Sequence, residues 1–198
     1  DDISMKVKEQ YSQNPYPRWE KTSLLENPKS LLELAKILKL KLNEVEAIQV
    51  DQPAVLIAGC GTGQQAVEAA VKFKNARVKA IDISMNSLAY AQRKALELGI
   101  DNIEFIEGDI LDIDSLDCEF NVIECTGVLH HMKDPLLGWA KLSKVLKRGG
   151  LMRVALYSRS ARKSIQEIRK EISRSDILPT EDTMRDLRER ILCSQETR

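Results

Sequence analysis

Between residues 54 and 157, short apolar runs alternate with longer amphipathic stretches, the pattern of βαβ units feeding a parallel sheet. Residues 54–58 (AVLIA) are apolar throughout, as a strand covered on both faces must be. A glycine-rich GCGTG follows, then QQAVEAAVKF, in which Ala66, Val67, Ala70 and Val71 share one helical face. The unit then repeats. Residues 77–81 predict a second strand ending at Asp82, Ser84 caps a helix striped by Leu88, Ala91, Ala95 and Leu98, and Gly99 closes it. Residues 102–106 predict the third strand and residues 120–125 the fourth, with an acidic, turn-rich segment between them. Asp134 and Pro135 start a helix expected to reach Lys147 and Arg148; Gly149-Gly150 then ends it, and residues 151–157 supply a fifth strand. Strict alternation of this kind predicts an α/β fold built on an open, doubly wound, mostly parallel sheet.

Two flanking regions complete the chain. Ser30 and Glu33 form a capping box for a helix striped by Leu31, Leu34, Leu38, Leu42 and Val45. At the other end, Ile165, Ile168 and Ile172 mark one helix and Met184, Leu187 and Ile191 another, with Pro179 between them. The expected division is residues 1–50, an N-terminal segment and helix; 51–158, a ligand-binding core; and 159–198, C-terminal helices.

A length of 198 residues with 43% apolar content suits one ordinary core. The balance of 30 basic against 30 acidic side chains removes the whole-protein electrostatic case for a nucleic-acid or anionic-membrane partner. The basic set Arg159, Arg162, Lys163, Arg169, Lys170 and Arg174 reads as a solvated helix face. No run approaches the roughly 18 apolar residues of a membrane span, and DDISMKVKEQ lacks a signal-peptide layout, so a cytoplasmic location is expected. Cys60, Cys118, Cys125 and Cys193 form no CxxC pair and have no zinc-finger spacing, which points to free thiols and no metal. The acids Asp109, Asp112, Asp114, Asp117 and Glu119 read mostly as a solvated turn rather than a metal site.

The chemistry concentrates after the strands. Gly59, Gly61 and Gly63 sit between a buried strand and a helix, where glycine lets backbone N–H groups approach a ligand. Such a turn occurs with several nucleotides, but the dinucleotide fingerprint GxGxxG is absent here because residue 64 is Gln. Asp82 ends the second strand, where a carboxylate can grip both hydroxyls of a ribose; a helix-capping acid is the alternative. Asp109 follows the third strand, placed for the amino group of an adenine.

Taken in order, GCGTG, Asp82 in AIDIS, Gly108-Asp109, residues 121–135 (NVIECTGVLHHMKDP) and KRGGL at 147–151 resemble the class I S-adenosylmethionine-dependent methyltransferases over residues 55–157. The resemblance implies a Rossmann-like class I methyltransferase core with S-adenosylmethionine as cofactor, moving a methyl group to a nucleophile on a small molecule or protein. It implies that the loop Gly59, Cys60, Gly61, Thr62 and Gly63 lies against the methionine moiety, that Asp82 holds the ribose, that Ile83 flanks the adenine, and that Asp109 with Ile110 contacts its edge. Glu124, Cys125 and Val128 are then expected to border the sulfonium and the acceptor. The family's acid two residues before the first glycine is replaced by Ile57, so the cofactor's amino group needs another acceptor: a loop carbonyl or Glu124. The family's last two strands are also not evident, which implies a truncated domain whose fifth strand is an exposed edge covered by the C-terminal helices or by a second copy. A non-catalytic cofactor-binding or interaction module and, less favoured, an NAD-dependent oxidoreductase are the alternatives.

Residues 9–19 (EQYSQNPYPRW) resemble the segment preceding the methyltransferase domain in tetratricopeptide-repeat methyltransferases. Tyr11, Tyr16 and Trp19 supply flat apolar surface there, and Arg18 has the charge to bind the cofactor carboxylate. A lid over the site and a clasp tying the N-terminus to the core are both consistent with that composition. The string NPYP also invites comparison with the Asn/Asp-Pro-Pro-aromatic motif of amino-group methyltransferases, but no strand precedes it. His130 and His131 are the two histidines and the candidate general bases, with packing at a helix start as the other reading.

Overall fold

A computed structural model describes residues 2–24, 27–158, 160–174 and 180–195. The chain forms two compact units, Asp1–Leu156 and Tyr157–Arg198.

The first unit is built on five strands, β1 (Ala54–Ala58), β2 (Arg77–Asp82), β3 (Ile103–Glu107), β4 (Phe120–Thr126) and β5 (Leu146–Ala155). They lie in the order β3-β2-β1-β4-β5, and every pair is parallel. Its helices are α1 (Asp2–Gln13), α2 (Leu31–Ile37), α3 (Gln64–Lys72), α4 (Met85–Glu97) and α5 (Pro135–Lys144). Both faces of β1 are covered, which is why its sequence carries no polar residue. Val55 and Ile57 pack with Ala66 and Ala70 of α3, whereas Leu56 and Ala58 pack with Ile113 and with Leu142 of α5. Strand order reverses between β1 and β4, and in such sheets the ligand crevice opens at the carboxyl ends of the strands at that point.

Local chemistry sets the helix starts. The Ser84 hydroxyl accepts the Ser87 N–H, Asp134 accepts those of Leu136 and Leu137, and Ser30 and Glu33 cap one another. Two elements differ from expectation. The stripe from Leu31 to Val45 is not one helix: α2 stops at Ile37, Lys39 turns to a φ of 53°, and Leu38 is 65% exposed, although Leu34, Leu42 and Val45 still pack on the core. The second concerns Gly149-Gly150, which does not end a helix. α5 ends at Lys144, and β5 begins at Leu146 and ends at Ala155, short of Tyr157. Phe120 pairs with Leu146 and Val122 with Leu151, so the strand bulges over residues 147–150.

In the second unit, α6 (Lys163–Arg174) carries Ile165, Ile168 and Ile172, and α7 (Glu181–Gln195) carries Met184 and Leu187. Arg159, Pro179 and the Ile191 side chain lie outside the described residues. Among the described residues no strand follows β5, and none pairs with its outer edge.

Candidate cofactor and acceptor site

The glycine loop follows β1, and its three glycines, all at positive φ, meet three different neighbours. A Cβ on Gly59 would lie 2.4 Å from Val128 Cγ2, one on Gly61 would lie 3.1 Å from the Tyr16 carbonyl, and one on Gly63 would lie 2.4 Å from Ala91 Cβ. Gly63 therefore gives its open face to α4 rather than to a ligand. The Gly59–Val128 contact closes the ends of β1 and β4 together. The N–H groups of Gly59 and Cys60 both donate to the Ile81 carbonyl at 2.9 Å, which ties the loop to β2.

Asp82 organises the same loop. Its Oδ2 accepts the Gly61 N–H at 2.8 Å and its Oδ1 accepts the Ser84 N–H at 2.9 Å. Burial raises its pKa above the usual carboxylate value, against the lowering effect of N–H donors from Ser84, Gly61 and Ile83. Each carboxylate oxygen has two lone pairs, so Asp82 can hold the loop and still accept a ribose hydroxyl. The helix-capping role falls instead to Ser84, whose hydroxyl accepts the Ser87 N–H.

Asp82 pairs in register with Glu107, and the Gly108 N–H donates to the Asp82 carbonyl at 3.0 Å. Asp82 and Asp109 thus stand at the same end of neighbouring strands. Asp109 accepts the Leu111 N–H at 3.0 Å and caps the 3-10 segment Ile110–Leu116. A cavity of about 230 Å³ opens beside it, lined by Ile83, Glu107, Gly108 and Asp109 from the sheet and by Ser4, Met5 and Lys8 from α1. The Ile110 side chain is buried in the core below.

On β4 the predicted Glu124 and Cys125 side chains are both buried. Glu124 is 5% exposed and faces the α3 layer, bonded to Lys72 Nζ at 3.0 Å and Arg153 Nη1 at 3.4 Å. In the sheet Glu124 stands beside Ile57, two residues before Gly59, and its carboxylate is held by both cations as a buried ion-pair centre. Glu124→Gln is accordingly expected to lower the melting temperature while leaving the calorimetric affinity for S-adenosylhomocysteine unchanged; a weakened affinity would return Glu124 to the site. Cys125 faces the opposite core, where burial pushes its thiol up to about 12. Burial and the nearby Asp82 charge raise Cys60 too. Neither is a nucleophile at neutral pH.

The N-terminal segment is both clasp and cover. Trp19 is 6% exposed, its indole N–H donates to the Thr62 carbonyl at 2.9 Å, and its own carbonyl accepts from Tyr90 at 2.5 Å. The buried Thr62 hydroxyl donates to the Pro17 carbonyl, so exposed Arg18 lies between two residues fixed to the loop. Ahead of this anchor, α1 runs from the cavity toward the 3-10 segment Leu129–His131. The Tyr11 hydroxyl lies 3.3 Å from His131 Nε2, and the His130 and His131 rings are 4.3 Å apart. The helix itself escaped the sequence reading. Its signal was the half-buried spacing Ser4, Val7, Tyr11, in which only one residue is aliphatic. Asp114 is paired with Lys141, and among the described residues no three His, Cys, Asp or Glu side chains group to hold a metal.

A glycine backbone, a half-buried carboxylate with spare lone pairs, and a base-sized cavity between Ile83 and Asp109 fit an adenosyl cofactor. The fold and site therefore define a doubly wound α/β domain with its crevice at the carboxyl ends of β1 and β4. A family model described as a methyltransferase domain matches residues 29–192, and the chain belongs to that family. It is 38% identical over 128 residues to an uncharacterised Synechococcus protein, covering 64% of this chain and 31% of that one. It is 31% identical over 121 residues to (S)-coclaurine N-methyltransferase of Papaver somniferum, covering 61% and 34%. In fold it is similar to a SAM-dependent methyltransferase from Geobacter sulfurreducens in complex with S-adenosyl-L-homocysteine, at 23% identity, with 73% and 53% coverage and a TM-score of 0.50. The chain thus spans about a third of the length of these two curated relatives.

Proposed function

We propose that this chain is the catalytic domain of an S-adenosylmethionine-dependent methyltransferase acting on a nucleophile of a small molecule or protein. The observation that carries this is the Asp82 carboxylate, bound to the Gly61 N–H beside a cavity that ends at Asp109. Bound there, the cofactor supplies a methyl group made electrophilic by a sulfonium. Asp82 accepts the ribose hydroxyls, Ile83 packs against the base, and Asp109 accepts its amino hydrogens. The loop around Gly61 holds the other end, with Arg18 near enough along the chain to meet a carboxylate. Val128 bounds the crevice where the acceptor meets the methyl group.

Positioning carries most of such a reaction, so no base is demanded of the residues at the mouth. Where the acceptor must lose a proton, exposed His131 is the available imidazole. The likeness to (S)-coclaurine N-methyltransferase supports a small-molecule acceptor, and the neutral charge balance argues against nucleic acid. No helix among the described residues is long and apolar enough to cross a membrane, and Cys60, Cys118 and Cys125 are free thiols, which suits a cytoplasmic setting. We place a second copy of the chain on the outer edge of β5; a single-chain mass in sedimentation would refute that pairing.

Calorimetry with S-adenosylhomocysteine and NAD tests the central claim. Saturable binding of the first and none of the second is expected, and the reverse pattern would sink it.

A further inference from the structure

We infer that α1 is a gate shared by both ligands: Ser4, Met5 and Lys8 wall the adenine pocket from outside, and Tyr11 forms the acceptor mouth with His131. The inference rests on the cofactor reading above and concerns residues outside the family's matched span, which begins at residue 29.

Three observations carry it. No residue of α1 is buried; it is held at its rim by Lys8 to Glu107 at 2.7 Å, by Asn86 to the Ser12 carbonyl at 2.7 Å, and by Tyr11 against His131. The Lys8 and Glu107 side chains are 53% and 36% exposed, which makes their pair a weak fastening. Elements with so few buried contacts open at low free energy. The chain beyond α1 is fixed, because Trp19 is buried and bonded to Thr62, and exposed Asn14, Tyr16, Pro17 and Arg18 separate the two.

The cavity supplies the second observation. At about 230 Å³ it lies below the roughly 300–1,000 Å³ of pockets that enclose whole ligands. It has room for a base, while the Tyr16 carbonyl lies over Gly61 where the rest of the cofactor must pass. With α1 in place, a base seated in the cavity lies beside Met5 and Lys8.

The third is rigidity. Met5 and Tyr11 are six residues apart on one helix, about 9 Å along its axis, so a base that fixes the first turns also fixes Tyr11 opposite His131. Met5, Lys8 and Tyr11 are positioning residues in this scheme. Filling the adenine pocket completes the acceptor mouth.

Hydrogen exchange and calorimetry on the full chain, with S-adenosylhomocysteine as probe, test the gate. In the wild type, the probe should slow amide exchange across residues 2–13. The paired substitution Met5→Ala and Lys8→Ala should weaken binding roughly five- to tenfold, because a loosened helix is closed for only a fraction of the time. Tyr11 does not line the pocket, yet Tyr11→Phe should also weaken binding, and combined with Lys8→Ala the loss should be less than the product of the two. Wild-type affinity in all these variants, with exchange in α1 unchanged by the probe, would overturn the gate and leave the cofactor assignment intact. Failure of the wild type itself to bind would remove the cofactor reading and the gate with it.

Discussion

Asp82→Ala is expected to weaken S-adenosylhomocysteine binding at least about a hundredfold. A hydrogen bond to a charged group contributes about 1.5–3 kcal/mol, and in the proposed mode of binding two ribose hydroxyls donate to this carboxylate. Each 1.4 kcal/mol is about tenfold, so losing both bonds alone gives roughly a hundredfold or more. The loop adds to the loss, since the Gly61 and Ser84 N–H groups are left without their acceptor. Asp82→Asn keeps one oxygen for Gly61 and should lose less. Calorimetry measures both variants, and undiminished affinity in the Ala variant would move the cofactor away from this loop.

The pH dependence of Asp82 has two opposite signs. Burial raises its pKa, so as pH falls the carboxylate takes up a proton sooner than an exposed aspartate. It then loses acceptor capacity, and affinity for the ribose should decline above the ordinary carboxylate range. For folding, the native state binds this proton more tightly than the unfolded chain. The contribution of Asp82 to stability is therefore greatest below its unfolded pKa and is lost as pH rises through the raised native value.

Gly63→Val is expected to have the largest effect on stability. Gly63 has φ +84°, and its added Cβ would lie 2.4 Å from Ala91 Cβ and 3.1 Å from Ala91 Cα, so α3 and α4 must separate. Left-handed backbone costs a side chain about 1–2 kcal/mol, and overpacking a well-filled contact costs about 1–3 kcal/mol. Together they come to roughly 2–5 kcal/mol, which at about 2–4 °C per kcal/mol for a chain of this size lowers the melting temperature by roughly 4–20 °C. Gly108→Ala is the control, because nothing lies within 4 Å of its added Cβ. Equal melting of the Val variant and the wild type would discard the packing role of Gly63.

The sheet was legible because its central strands, β1 and β4, are covered on both sides. Residues 55–58 have no solvent face, and the caps at Ser84 and Asp134 mark where the following helices must start. The aspartates after β2 and β3 were legible for a related reason: a polar residue closing an apolar strand stands at the sheet's carboxyl end. What escaped depends on partners distant in sequence. Lys-Arg-Gly-Gly has the chemistry of a helix end, and only the pairing of Phe120 with Leu146 shows that it is a bulged strand. Uninterrupted burial of β4 hid which face Glu124 takes, because apolar neighbours on both sides erase the alternation. A ligand and a neighbouring helix equally require Gly63 to lack a Cβ, so residue type alone does not separate them. For α1 there was little to read: its contacts are polar and peripheral, made by side chains whose sequence pattern resembles that of any solvated segment.

The anchoring of Trp19 to the Thr62 carbonyl gives this molecule an internal optical probe. Of its two tryptophans, Trp139 lies on the partly exposed surface of α5, and replacing it with Phe leaves a single indole fixed to the glycine loop. Emission from that one ring would then follow the loop in real time, without a label and without an identified substrate.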